Sequence, residues 1–212
     1  MIQPPSDFYH SLAEQRVQVS LEQQQQLAHY VDRLAKWSKV YNLVSANELP
    51  NIYQKHIADS LVVAPWIGQG NVIDIGTGAG FPGIPLAIIS PEQKFTLLDS
   101  SGKKTRFLTQ VVSELALNNI TIVNQRVENY HSEELFSAII CRAFSSIQAM
   151  IQLSAHLLGS DGRYYFMKSQ YVEQELTQLP AHMQYEVIKL DVPQLNAIRY
   201  LVSIAVVDED VA

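Results

Sequence analysis

Residues 71–85 read Asn-Val-Ile-Asp-Ile-Gly-Thr-Gly-Ala-Gly-Phe-Pro-Gly-Ile-Pro, a short apolar run that ends in an acid and breaks at once into glycine. Such a run, bounded by turn residues, suits a strand buried on both faces of a sheet. Glycine directly after it lets the backbone turn sharply and approach a ligand with no Cβ in the way. In open α/β sheets that position, the carboxyl end of the first strand, is where ligands sit. Gly76, Gly78 and Gly80 thus mark the first candidate site. A tight strand–helix turn without a ligand is the plainer reading of the same three residues.

On either side of this segment the pattern alternates. Helical spacing resumes at 84–89, and strand-like runs at 94–99, 120–124, 136–141 and 162–168 are separated by helical stretches at 103–117, 147–158 and 171–179. Strands alternating with helices indicate right-handed crossovers and a largely parallel sheet. Two further strands, 185–192 and 200–207, have too short a connection for a crossover helix and are expected to pair antiparallel at the sheet edge. That makes seven strands on the α/β plan. Upstream, Ser20 and Gln23 have capping-box spacing. From there Leu27, Tyr30, Val31, Leu34, Trp37, Val40 and Tyr41 recur at helical intervals, predicting one helix over residues 21–41. A second helix is expected from Pro50 through Val62, while residues 1–19 are weakly patterned. No repeat or Pro/Gly/Ser-rich linker divides the chain. Residues 1–212 are read as one domain, a helical cap over about 1–68 on a core over about 69–212.

Composition narrows the classes. The 212 residues are 47% hydrophobic, enough for a single core without staples. One cysteine, Cys141, excludes an intramolecular disulfide and a cysteine-based zinc site. No basic, apolar leader opens the sequence, and no apolar run approaches the roughly 20 residues that span a bilayer. A soluble, cytoplasmic protein is expected, with no membrane or metal partner. The net charge of −6 argues against a general nucleic-acid coat but leaves room for a local basic patch.

The glycine segment admits two cofactors. Gly78-x-Gly80-x-x-Gly83 satisfies the dinucleotide fingerprint, a weak signal by itself. Against a diphosphate stands Asp74, whose charge would repel it and favour an ammonium or a sulfonium. Pro82 removes a backbone donor that an anion-binding helix start would use. Phe81 sets a ring where a phosphate wants bare backbone, while an aromatic suits an adenine or an aliphatic chain. Asp99 suits two ribose hydroxyls under either reading, or simply caps the following helix. The balance favours S-adenosylmethionine over NAD.

The same residues carry a family resemblance. Asp74-Ile-Gly-Thr-Gly-Ala-Gly-Phe-Pro-Gly-Ile-Pro85 resembles the signature of the bacterial glucose-inhibited division protein B family, the small-subunit ribosomal RNA methyltransferase G. So do Lys36-Trp-Ser-Lys-Val-Tyr-Asn-Leu43, His56-Ile-Ala-Asp-Ser60, Thr96-Leu-Leu-Asp-Ser100, Lys103-Lys104 with Phe107-Leu108, Arg126-Val-Glu128 and Arg142-Ala-Phe144. The glycines alone are common to many methyltransferases; Gly-Phe-Pro-Gly together with His56-x-x-Asp59-Ser60 is far more specific. The resemblance implies a class I S-adenosylmethionine-dependent methyltransferase fold, Rossmann-like. It also implies methyl transfer to N7 of a guanine in 16S ribosomal RNA, with the free RNA or the 30S particle as partner. It implies cofactor contacts at Gly76, Phe81, Val127, Glu128 and Arg142, to which the residue-level reading adds Asp74, Gly78 and Asp99. Family members often carry Asn where Ser38 stands here.

The chemistry is coherent with these residues. Guanine N7 has an exposed lone pair, so alignment and desolvation can carry an in-line displacement with no general base. Cys141 ends an apolar strand and reads as a small hydrophobe and not a nucleophile. Arg142 could instead bind RNA phosphate or pair with Glu128. His56, Asp59 and Ser60 fall on one helical face. They are too few and too oxygen-rich for zinc, and fit a cluster fixing the cap to the sheet, or a substrate contact. Lys36, Lys39, Lys103, Lys104 and Arg106 are the candidate rRNA contacts, against a merely solvated face. Tyr41 and Phe144 are aromatics that could stack on bases. The competing functions are an NAD-linked Rossmann oxidoreductase and a non-enzymatic nucleotide-binding module. A monomer is the simplest assembly.

Overall fold

The computed structural model describes residues 2–142, 146–170 and 172–207. Its element order is α1 (Phe8–Glu14), α2 (Leu21–Tyr41), α3 (Asp59–Leu61), β1 (Val72–Ile75), α4 (Gly83–Ile89), β2 (Phe95–Leu98), α5 (Gly102–Glu114), β3 (Ile120–Val123), β4 (Phe136–Arg142), α6 (Ile147–Ser154), β5 (Leu158–Lys168), α7 (Glu173–Leu176), β6 (Met183–Leu190) and β7 (Arg199–Val206).

The strands form one seven-stranded sheet in the order β3-β2-β1-β4-β5-β7-β6. Strands β1 to β5 pair in parallel, with Asp74 level with Leu97 on one side and Ile140 on the other. Strand β7 runs antiparallel to both neighbours, β5 and β6, so it is inserted between them and β6 forms the edge. The chain order reverses between β1 and β4, which opens a crevice above the carboxyl end of β1, where the glycine loop begins.

Helix α2 carries both bonds of its capping box: Gln23 N–H donates to the Ser20 hydroxyl and Ser20 N–H to the Gln23 side chain. It ends at Asn42 in a left-handed conformation, φ 50°. The stretch expected as one helix from Pro50 to Val62 is instead three pieces: a 3-10 turn at Leu49–Asn51, a π-helical stretch at Tyr53–Ala58, and α3. Helix α1, which the weak pattern of residues 1–19 does not predict, is pinned by buried Phe8 and Leu12, with the Phe8 ring edge-on to Tyr53.

The cap shares its core with the sheet. One cluster unites Leu27, Tyr30, Val31, Leu34, Ile57 and Leu61 with Val72, Leu97, Phe107 and Ile140. A second cluster covers the other face with Ile73, Ile139, Ile147, Met150, Tyr164 and Val202. Such burial of branched side chains stabilises by roughly 1.5–3 kcal/mol each. No helix among the described residues is long and apolar enough to cross a membrane.

Candidate active site: two cavities that meet at Arg142

The loop after β1 needs its glycines. Gly76, Gly78 and Gly80 have φ of 72°, 64° and 104°, in the region where a Cβ is strained. A Cβ on Gly80 would lie 2.5 Å from the Ile84 side chain and 3.2 Å from the Tyr30 hydroxyl. The loop is also held from within. Gly76 and Thr77 N–H donate to the Leu98 carbonyl, Gly80 and Phe81 N–H to the Thr77 carbonyl, and Ile84 N–H to the Gly80 carbonyl. Gly78 N–H donates to Asp99 at 2.9 Å and Gly83 N–H to Asp74 at 2.9 Å. With these N–H groups committed and Pro82 lacking one, the loop cannot cradle a diphosphate in the way a dinucleotide fold does. That disfavours the NAD-linked reading more firmly than the charge of Asp74 does.

Asp74 itself is not on the cavity wall. Its side chain is fully buried behind the loop, where Oδ2 accepts from the Thr77 hydroxyl at 2.7 Å and from Gly83 N–H. Its Oδ1 is buried with no hydrogen-bond partner among the described residues. Burial pushes its pKa up to about 6, against the pull of Thr77 and Gly83. The sequence reading gave Asp74 a direct electrostatic role toward the ligand; the structure corrects it to a brace that ties the loop to β1. The Phe81 side chain is likewise turned inward. Its ring is buried between the cap and the loop, edge-on to Tyr30 at 5.5 Å and tilted over His56 at 4.9 Å, and it does not line the cofactor-sized cavity.

That cavity, about 360 Å³, lies over the ends of β1, β2 and β3, lined by Gly76, Leu98, Asp99, Lys104, Val127, Glu128, Arg142 and Leu153 among others. Asp99 is almost wholly occupied. It accepts from Gly78 N–H, from Ser101 N–H at 2.8 Å and from Lys104 Nζ at 3.3 Å. Ser101, not Asp99, is the residue that precedes α5 as its cap. Lys104 is the one lateral partner a ribose could displace, because it is half-exposed while the two backbone donors are fixed. The 3-10 turn Val127–Asn129 leaves its first N–H groups, at Val127 and Glu128, without intrahelical partners. An adenine edge presents complementary acceptors, and Leu98, Val127 and Leu153 supply apolar walls for its faces.

A second cavity of about 770 Å³ adjoins the first, lined by Glu48, Lys55, His56, Asp59, Arg142, Lys168, Glu175 and Arg199 among others. Asp59 is its hub: Oδ2 accepts from Arg142 Nη1 at 3.3 Å and Oδ1 from Arg199 Nε at 2.9 Å. One carboxylate from the cap thus joins the ends of β4 and β7. Arg142 also reaches His56 Nδ1 at 3.1 Å and lies 4.9 Å over the Phe81 ring. It lines both cavities and forms the wall between them. Its partner is Asp59; the alternative pairing with Glu128 is not observed. The cluster of His56 and Asp59 does fix the cap to the sheet. Ser60 takes no part in it, because its hydroxyl donates to the His56 carbonyl at 2.6 Å.

Cys141 is buried and burial pushes its thiol well up, which excludes it as a nucleophile. Among the described residues no cluster of His, Cys, Asp and Glu could hold a metal. Of the candidate RNA contacts, Lys36 is paired to Asp32 at 2.7 Å and Lys104 to Asp99. Lys39, Lys103 and Arg106 are exposed and make no ion pair among the described residues. They stand on α2 and α5, which are joined by Trp37 against Phe107 at 5.5 Å and by Arg33 to Glu114 at 2.6 Å. Tyr41 is exposed beside Trp37. Phe144 lies outside the described residues. Arg199, Glu48 and Lys168 escaped the sequence reading. The one signal for Arg199 was that a buried Asp59 on an apolar helix needs a cation.

Comparison with known proteins agrees with this architecture. A ribosomal RNA methylase from Streptococcus thermophilus superposes with a TM-score of 0.52 at 18% identity, over 71% of this chain and 94% of that one. A complex of DhpI with SAH gives 0.55 at 14% identity, over 88% and 98%. At such identities these share the fold alone, that of class I methyltransferases. Sequence relatives are far nearer. Ribosomal RNA small subunit methyltransferase G of Photorhabdus laumondii is 50% identical over 188 residues, 88% of this chain and 91% of its own length. That of Salmonella agona is 48% identical over 194 residues, 91% and 94% of the two chains. The family model for rRNA small subunit methyltransferase G matches residues 23–202, and with half-identity along most of its length this chain belongs to that family.

Proposed function

We propose that the protein transfers a methyl group from S-adenosylmethionine to N7 of a guanine in 16S ribosomal RNA. The observation that carries this reading is the meeting of two cavities at Arg142, one of a size for an adenosine and one larger, lined by cations and by the carboxylates of Glu48, Asp59 and Glu175. Asp99 is the ribose ligand, the N–H groups of Val127 and Glu128 read the adenine edge, and the backbone at Gly76 passes beneath the sulfonium arm. Gly78 acts through its bond to Asp99; Asp74 and Phe81 hold the loop in place. Arg142 closes the cofactor cavity on the substrate side.

S-Adenosylmethionine supplies an activated methyl: the carbon–sulfur bond breaks as the nitrogen–carbon bond forms, the electron pair stays on sulfur, and positive charge passes to the purine. Guanine N7 has its lone pair free, so the site needs no base, and the lowered basicity of His56 and the burial of Cys141 are consistent with that. What the residues must do is align and desolvate, tasks whose intramolecular equivalents are worth roughly 7–11 kcal/mol.

Lys39, Lys103 and Arg106, with Lys36 and Lys104, are the phosphate contacts. An acidic body with one basic patch favours a 30S particle, whose other surfaces add contacts, over naked RNA. The acting form is a monomer, in the cytoplasm with its RNA.

The test is direct. Purified protein, methyl-labelled S-adenosylmethionine and 30S particles from a strain lacking the gene are incubated and the RNA digested to nucleosides. Label confined to 7-methylguanosine, and lost with Arg142→Ala, is the expected result. Label in any other nucleoside, or none, overturns the reading.

A further inference from the structure

The wall of the larger cavity carries a donor and an acceptor whose arrangement names the base they read. A guanidinium donates hydrogen bonds and accepts none. Because Arg142 Nη2 lies 3.1 Å from His56 Nδ1, Nδ1 must offer its lone pair, and the neutral ring carries its proton on Nε2. That Nε2–H is buried and has no hydrogen-bond partner among the described residues. A buried donor left unpaired is costly, and an entering acceptor would relieve that cost. The nearest carboxylate, Glu48 Oε2, stands 3.8 Å away, beyond hydrogen-bond reach. Glu48 is steadied by the Ser45 hydroxyl at 3.1 Å. Both side chains line the cavity that Arg142 separates from the cofactor site.

A guanine that presents N7 to a methyl donor must leave N7 free of protein. Its remaining edge then shows, in sequence, the O6 acceptor and the N1–H and N2–H donors. A ring N–H beside a carboxylate is the complement of that edge. Adenine shows a donor where guanine has O6 and an acceptor where guanine has N1–H, and so meets the pair in the wrong sense. We propose that His56 and Glu48 read the Watson–Crick edge of the target guanine, His56 Nε2–H donating to O6 and the Glu48 carboxylate accepting from N1–H and N2–H. This rests on the guanine-N7 reading above and deepens it.

Two features agree. Burial and the charge of Arg142 hold the His56 pKa down at about 4, with Lys55 and Arg199 acting in the same sense and Glu48 opposing. The ring is therefore neutral where the enzyme works, and no imidazolium faces a purine that is becoming cationic. Glu48, in contact with N1–H, places negative charge against the ring as the positive charge arrives, which stabilises the transition state more than the ground state. The reading also requires the base to be unpaired when docked, in line with how proteins read RNA, through bases splayed out of the helix.

The experiment compares substrates that differ only at the target base: guanine, 2-aminopurine, which keeps N7 and the 2-amino group but lacks O6 and N1–H, and inosine, which lacks only the 2-amino group. Wild-type protein is expected to favour guanine over 2-aminopurine by ~10–100-fold in kcat/KM. His56→Phe, which keeps a ring on Phe81, should slow guanine by a similar factor and leave 2-aminopurine nearly unchanged, collapsing the ratio. Glu48→Ala should collapse the preference for guanine over inosine. Equal slowing of every substrate means His56 is only structural and overturns the proposal, as does an unchanged guanine rate. If wild-type protein methylates none of the three, the reaction reading fails and this one with it. Nitrogen-15 NMR of the histidine rings in unliganded wild-type protein gives a readout independent of any variant's folding. Protonated Nε2 with bare Nδ1 at His56 is expected; the opposite tautomer overturns the assignment.

Discussion

At the scale of single residues, Asp74 shows how a motif position can be legible and its role not. The sequence places an acid at the tip of β1, and a charge there invites a direct contact with the ligand. What turns it inward is the loop folding back on the strand, which brings the Thr77 hydroxyl and Gly83 N–H onto one carboxylate oxygen. Spacing alone does not announce that return. The burial has a measurable consequence. The folded pKa, about 6, lies above the unfolded value near 3.9. The stability this raised pKa contributes is fully present below about pH 4 and is lost as pH rises through about 6. Asp74→Asn keeps an acceptor oxygen for Thr77 and Gly83 but cannot titrate. Between pH 4 and 7 the wild type should lose on the order of 2–3 kcal/mol relative to that variant in urea unfolding. Parallel profiles would show that the carboxyl does not titrate in that window.

At the scale of elements, α2 was readable because its signals are local: a capping box at its start and a regular apolar face along its length. The segment after it was not. Its apolar spacing fits a plain helix, whereas the chain widens to a π-helical turn at Tyr53–Ala58, a conformation recurrent at functional sites. That turn carries His56 and delivers the chain to Asp59, whose partners, Arg142 and Arg199, come from strands far along the sequence. The insertion of β7 between β5 and β6 was equally hidden, since a short connection predicts pairing and not order.

Helix α2 also supports the cofactor loop, for the Tyr30 hydroxyl donates to the Ala79 carbonyl at 2.7 Å. Tyr30→Phe removes only that bond, worth about 1 kcal/mol. It should weaken S-adenosylhomocysteine binding about threefold to tenfold in calorimetric titration, with the thermal midpoint lowered by a few degrees. Unchanged affinity would separate the cap from the cofactor site.

At the scale of the molecule, a net charge of −6 is accompanied by exposed cations on α2 and α5, Lys39, Lys103 and Arg106 among them. The composition made the acidity plain, while the packing of α2 on α5 through Trp37 and Phe107 was not legible in it. Lys103→Ala with Arg106→Ala should reduce the salt dependence of RNA binding by about two ion contacts, a slope change of roughly 1.5 in log–log form. Both residues are exposed, so cofactor affinity and stability should hold. A slope unchanged from wild type would move the RNA interface elsewhere. The same acidity predicts faster methylation of 30S particles than of deproteinised 16S RNA; equal rates would show that RNA contacts suffice.

The reaction leaves a product that can be mapped. A 7-methylguanine opens to strand scission under borohydride and aniline, so 16S RNA from a gene-deleted strain, with and without the restored protein, can be compared by primer extension. One scission site is expected with the wild-type protein and none with Arg142→Ala. An identical scission pattern in all three strains would contradict it.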